Sequence, residues 1–254
     1  MAFDNNIELN GMVLSSKPVG EYDLRITLLT KEKGKISAFS RGARKPKSSL
    51  MAGSRPFSYG KFTIFMGRNS NVVSSIEIEN YFENISKDIS ATYYGFYFLE
   101  LADYYSKENI EAKEMLQLLY QSLRALMNEK IPNRLVRCIY ELKILVYNGE
   151  YPEVFSCINC GEENELKSIS ISKGGMICTE CEGSIPDTMK IDISTVYTMQ
   201  YVVSSDIKKL YTFLVSENVL CELEKILRQY YSRYIDKSFK SLEIITMLEY
   251  NTRD

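Results

Sequence analysis

The spacing of apolar residues changes once along this chain, near residue 84, and that change limits it to two kinds of structure in series. Before it, IELNGMVLSS, DLRITLLT, GKISAFS, KFTIFMG and NVVSSIEIE alternate apolar with polar positions and are punctuated by glycine. That is the period of half-buried strands. Arg68-Asn69-Ser70-Asn71 supplies a hairpin turn between the last two segments. Five short strands in about 75 residues, without a convincing helix among them, predict a small antiparallel barrel of OB type. Beyond the change the period is helical. Tyr94, Tyr97, Leu101 and Tyr104 fall on one stripe, followed by Met115, Leu119, Leu123 and Leu126, then by Leu135, Ile139, Leu142 and Val146. Gly149 and Pro152 end the third helix, and TVYTMQYVVSS and NVLCELEKILRQYYSRYI resume the helical pattern later. The expected fold is α+β and multidomain. An OB-fold domain is expected over 1–82, and a helical domain over 83–254 interrupted by a small module at 155–185.

That module carries four of the six cysteines as Cys157-Ile-Asn-Cys160 and, seventeen residues on, Cys178-Thr-Glu-Cys181. Two residues between thiolates let one tight turn point both sulfurs at the same ion. A hairpin through LKSISIS and Gly174-Gly175 returns the second pair to complete a tetrahedron. The spacing predicts one structural Zn2+ held by Cys157, Cys160, Cys178 and Cys181. Four thiolates close the coordination sphere and leave no position open for chemistry. Cys138 and Cys221 sit in helical stripes and read as buried thiols.

The net charge of −2 conceals an asymmetry. Through residue 85 there are 12 Lys and Arg against 8 Asp and Glu, a balance of +4, whereas the remainder holds 19 against 25, or −6. Between Lys31 and Arg68 ten cations face one acid, Glu32. A local field of that sign attracts polyanions. At its centre is SRGARKPKSS, residues 40–49, between the third and fourth strands. Read as a flexible phosphate-binding arm, it contributes Arg41, Arg44, Lys45 and Lys47, with Lys35, Arg55, Lys61 and Arg68 on the flanking strands. Phe39, Phe57, Tyr59, Phe62 and Phe65 lie on the same strands and offer rings on which bases can stack. Alternation puts Phe62 with Met66 on one face and Phe65 on the other.

The chain has no histidine, which removes Ser-His and Cys-His nucleophile pairs, HExxH zinc sites and His-dependent deaminase chemistry. There is no GxxxxGK[ST] or GxGxxG phosphate loop, and no constellation of acids, lysines and tyrosines suggests an enzyme. No run of about 18 apolar residues predicts a membrane span, and MAFDNNIELN lacks the form of a secretory signal, so a cytoplasmic chain is expected. Three other functions fit parts of this pattern: an RNA-binding OB protein with a zinc ribbon, a zinc-thiolate redox switch or holdase, and a structural adaptor.

Three blocks together resemble the RecO family of bacterial DNA-repair recombination mediators. They are PVGEYDLRITLLTKEKGKISAFSRGARKPKSSLMAG (Pro18–Gly53), YELKILVYNGEYPEVFSCINCG, and YYSRYIDKSFKSLEII near the end. The helices between about 84 and 130 match only in character. The resemblance implies an OB domain, a helical domain and a zinc module in members that keep the cysteines. It implies binding of single- and double-stranded DNA, annealing of complementary strands, and help in loading RecA onto strands coated by the single-stranded DNA-binding protein SSB, all without ATP hydrolysis by the protein itself. Implied partners are RecR, sometimes RecF, and the acidic C-terminal tail of SSB, with a nucleoid-associated location. A receptor for that tail pairs cations with an apolar slot; Arg134 and Arg137, expected on the outer side of the third helix, are the candidates.

Overall fold

The structure, a computed structural model, describes residues 5–251. The chain forms two compact units, one of residues 1–127 with 239–254 and one of residues 128–238.

The first unit is built on five strands, β1 (Asn6–Val19), β2 (Asp23–Thr30), β3 (Gly34–Ser40), β4 (Tyr59–Met66) and β5 (Asn71–Asn80). They close in the order β1-β2-β3-β5-β4, with β4 returning to β1. All pairings are antiparallel except β3 with β5, which meet in parallel at Ala38 and Phe39 only. This is the OB-type barrel that the alternation predicts. Alternate residues of each strand fill its interior, among them Leu9, Val13, Ile26, Leu28, Phe62 and Ile64. Each such side chain contributes roughly 1.5–3 kcal/mol by leaving water. Among the described residues three α-helices complete the unit: α1 (Ile89–Tyr105), α2 (Lys113–Leu126) and α6 (Lys240–Asn251). The Asp88 side chain accepts the Ser90 N–H at 2.8 Å to start α1. The stripe expected for α1 is buried at Tyr94, Tyr97 and Leu101, but Tyr104 is half exposed, its ring edge-on to Tyr105 and Phe239.

Because β3 touches β5 only near its end, its first half has an open edge. Residues 107–112 cover that edge like a short extra strand. The Lys35 and Asn109 N–H groups donate to the Lys107 and Lys33 carbonyls at 3.0 and 2.9 Å. Gly34 permits this approach. It has φ +62°, and a Cβ there would lie 2.2 Å from the Lys107 oxygen and 2.4 Å from that of Ile110. Gly34→Ala should therefore cost about 1–2 kcal/mol in left-handed backbone strain alone, plus displacement of this segment. A lower melting temperature with faster hydrogen exchange at Lys35 and Asn109 is the expected result; unchanged exchange at both would contradict it.

The second unit is arranged around α3 (Asn133–Asn148), with α4 (Ile193–Ser204) and α5 (Glu217–Tyr234) against it. Gly149 ends α3 in the left-handed region at φ 70°, as its position after the apolar stripe predicts. Every residue from Leu135 to Leu145 is buried, including Arg137, Glu141 and Lys143. The Lys143 ammonium donates to the carbonyls of Val202, Val203 and Ser205 at 3.2, 2.8 and 2.8 Å, a cation at the negative end of α4. The unit also holds a three-stranded sheet of β6 (Leu166–Ser170), β7 (Gly175–Cys178) and β8 (Thr188–Lys190), with β6 in the middle.

Candidate nucleic-acid interface and metal centre

The cationic segment after β3 is a series of tight turns fastened to the barrel. Lys45, Ser48 and Met51 donate their N–H groups three residues back, to Gly42, Lys45 and Ser48, at 3.0, 3.1 and 3.3 Å. Gly42 N–H donates to the Asp23 carboxylate at 2.7 Å, Arg44 N–H to the Tyr22 carbonyl at 2.9 Å, and Ala43 is buried. Lys45 lies over the Tyr22 ring, 5.6 Å from its centroid. The expected mobile arm is thus an ordered ledge, because one buried alanine and two backbone bonds tie its first half to the β1–β2 turn.

Arg41, Arg44, Lys45, Lys47, Arg55 and Arg68 are exposed, and none forms an ion pair among the described residues. Two of the expected phosphate contacts differ. Lys35 donates to the Asp103 carbonyl at 2.6 Å and pairs with its carboxylate at 3.3 Å. Lys61 lies on β4 and pairs with Glu8 at 3.7 Å.

The rings divide as well. Phe62 is wholly buried in the barrel and Phe65 is 42% exposed, so the wet face of β4 is that of Phe65. Phe57 packs on Phe96 of α1 and Tyr59 on Tyr120 of α2, both at 4.8 Å between centroids. Phe39 is half-buried and lines a groove of about 230 Å³ with Arg25, Lys35, Met66, Asn69 and Glu108. β3 runs from this groove directly into the cationic ledge. Arg25 and Glu108 carry no signal in the sequence. Arg25 is brought opposite Phe39 by the β2–β3 register, and Glu108 by its bridge to Gly34.

In the second unit the four expected cysteines converge. Their sulfurs all lie within 4.8 Å of one another, and Cys160 and Cys178 are 3.7 Å apart. A tetrahedron of ~2.3 Å metal–thiolate bonds has sulfur–sulfur edges of ~3.8 Å, so the donor set fits a four-coordinate metal ion. Local backbone builds each half. Cys157 N–H donates to the Glu162 carbonyl at 2.7 Å, Gly161 N–H to the Cys157 carbonyl at 2.8 Å, and Cys181 N–H to the Cys178 carbonyl at 3.1 Å. Burial opposes charge on Cys157, yet the backbone N–H groups of Cys178, Cys160 and Asn159 outweigh it and lower its thiol to about 6. The Glu162 N–H favours the Cys160 thiolate, but hydrogen bonding to the neighbouring sulfurs pushes that thiol up to about 12. Crowded sulfurs that resist sharing charge are relieved by a bound cation. The Asn159 amide donates to Cys181 Sγ at 3.3 Å. Residues 155–185 also carry five acids (Glu162, Glu163, Glu165, Glu180, Glu182) against Lys167 and Lys173, a surface that repels phosphate.

Cys138 is buried, as its stripe suggests, but Cys221 is exposed. The buried side of α5 runs through Leu220, Leu223, Leu227 and Tyr231, and Cys221 points away from it, 3.4 Å from a Glu217 oxygen. Arg134 is forked onto Glu224 at 3.0 and 2.5 Å and reaches Glu217 at 2.6 Å. Arg137, only 9% exposed, meets Glu224 at 3.0 Å and Glu141 at 3.8 Å. These two arginines therefore sit in an internal network between α3 and α5 instead of on an outer face, because α5 covers that side of α3. Among the described residues no helix is long and apolar enough to cross a membrane.

Comparison with known proteins agrees with both halves of this arrangement. Residues 1–82 match the family model described as Recombination protein O N terminal, and residues 86–243 match Recombination protein O C terminal. The protein described as DNA repair protein RecO from Alkaliphilus metalliredigens is 33% identical over 240 residues, 94% of this chain and 98% of that protein. Its counterpart in Acetivibrio thermocellus is 33% identical over 247 residues, 96% of this chain and 98% of that protein. The Bacillus subtilis one is 29% identical over 239 residues, covering 94% and 93%. An OB-type barrel, a helical region with a four-cysteine cluster, and matches along nearly the whole length together place this chain in the RecO family of DNA repair proteins.

Proposed function

We propose that this chain is a recombination mediator with no catalytic step of its own. It binds single- and double-stranded DNA through the barrel domain of residues 1–82, anneals complementary strands, and assists RecA loading onto SSB-coated single strands. The observation that carries this reading is the ledge of exposed cations without acidic partners, pinned beside a groove that contains Phe39. Annealing requires two polyanions to approach. Arg41, Arg44, Lys45, Lys47, Arg55 and Arg68 neutralise phosphates, and the ledge needs little ordering when DNA arrives. Stacking is kept modest because Phe57 and Phe62 are buried and Tyr59 is engaged with Tyr120, which leaves Phe39 and Phe65, so a bound strand remains free to pair. Lys35 and Lys61 contribute after exchanging Asp103 and Glu8 for phosphate.

The helical domain, residues 83–254, carries the cysteine module at 155–185. Cys157, Cys160, Cys178 and Cys181 would hold one structural Zn2+, which would tie the end of β7 to the turn at Cys157–Gly161 and leave no open coordination position. The acidity of the module argues for a role away from nucleic acid, which disfavours a ribbon that reads RNA. RecR, in some settings RecF, and the SSB tail are the proposed partners. For the tail, Arg134 would exchange the exposed carboxylate of Glu217 for a carboxylate of the partner, with Arg137 behind it on Glu224.

The test is the rate at which the protein anneals complementary DNA strands already coated with SSB, without nucleotide triphosphate, at two salt concentrations. Fast annealing that slows steeply with salt is expected. No annealing by a folded, metal-loaded protein would sink the proposal.

A further inference from the structure

Glu108 is an anomaly in the groove beside β3. Every other charged group lining it is a cation, Arg25 or Lys35, and Phe39 and Met66 supply an apolar wall. A phosphate passing close to Glu108 would be repelled. A group hydrogen-bonded to this carboxylate must present donors, and within a DNA strand those are on base edges. At about 230 Å³ the groove is smaller than the ~300–1,000 Å³ sites that enclose drug-sized ligands and has room for about one base. The neighbouring Asn69 and Asn109 side chains offer further donors and acceptors.

We infer that the groove bounded by β3, the β4–β5 turn and residues 107–110 seats one unpaired guanine, with Glu108 as the residue that reads it. The chemistry selects among the bases. Guanine alone has two adjacent donors, N1–H and the N2 amino group, that meet both oxygens of a carboxylate. In cytosine and adenine the amino group is beside a ring acceptor, and in thymine the single N–H stands between two carbonyls; each sets one carboxylate oxygen against a lone pair. Phe39 supplies the face on which the base stacks, and Arg25 stands where the adjoining phosphate can reach it. This preference rests on the strand-binding function proposed above. Since the groove is continuous with the cationic ledge, the preference would bias where a strand is first gripped without stopping other sequences from binding.

The experiment compares three short single strands at one salt concentration: oligo-dT, oligo-dT with isolated dG residues, and the same with deoxyinosine, which lacks only the N2 amino group. The dG strand should bind about 5- to 100-fold tighter than the oligo-dT strand, the range for a good bidentate contact, and deoxyinosine should lose most of that gain. Glu108→Gln should remove most of the difference between dG and deoxyinosine and, because it takes a negative charge out of the groove, should not weaken binding of oligo-dT. Equal affinity of the wild-type protein for all three strands would overturn this inference and leave the strand-binding reading standing. Failure to bind any of them would instead remove that reading and this one with it. A dG preference that survives Glu108→Gln would mean that another group reads the base, which also overturns the assignment.

Discussion

Replacing Cys157 and Cys160 by serine should abolish metal binding by the second unit and melt its cysteine module. Two hydroxyls cannot stand in for thiolates, and the remaining pair, Cys178 and Cys181, closes only half a tetrahedron. Ligation supplies roughly 10–16 kcal/mol in isolated zinc fingers, far more than any other local interaction here. Within residues 155–185 little else could compensate, since the buried apolar residues are few: Leu166, Ile169, Met176, Ile177 and Ile185. With the proposed zinc at this site, metal content should fall from one ion per chain to none, and amide exchange should accelerate in β6 and β7 while the barrel strands keep their protection. Full zinc content and an unchanged melting curve in the double variant would show that the four sulfurs are not the ligands.

The second large effect concerns the ledge. Alanine at Arg41, Arg44, Lys45 and Lys47 together should weaken single-strand binding and flatten its dependence on salt. Each phosphate contact contributes about 0.7 to the log–log slope on single strands, so loss of all four lowers the slope by about 3 and the affinity at 0.1 M salt by roughly 10²–10³. The backbone bonds that fold the ledge, from Gly42 to Asp23 and from Arg44 to Tyr22, do not involve these side chains; only the Lys45–Tyr22 contact and the Arg44 guanidinium bond to the Gly20 carbonyl at 3.4 Å are lost, so the variant should melt close to the parent. An unchanged slope would make the ledge a bystander and move phosphate binding elsewhere on the molecule.

Much of this architecture follows from local rules. A two-residue period written into five segments can bury its apolar side only by pairing strands, and the observed β1 to β5 coincide closely with those segments. The cysteine cluster was equally legible, because two residues between thiolates fix the geometry within one turn and need no knowledge of the rest of the fold. The glycine that ends α3 is legible for the same reason.

What the linear pattern could not assign is which side of an element meets another. Phe57 and Tyr59 look like stacking rings from their strand positions, but α1 and α2 pack over them, and that contact depends on residues far along the chain. Arg137 reads as an outward residue until α5 lies across it with Glu224. Cys221 reads as an inward one until the buried side of α5 proves to run beside it. The groove is the clearest case. Arg25, Phe39 and Glu108 belong to three separate segments, joined by a strand register and by the close approach that Gly34 allows. Periodicity and ligand spacing are properties of neighbours in sequence, so they survive in one dimension. Burial, ion pairing and the lining of a cavity are properties of neighbours in space, and these came into view only when the barrel closed and the helices packed.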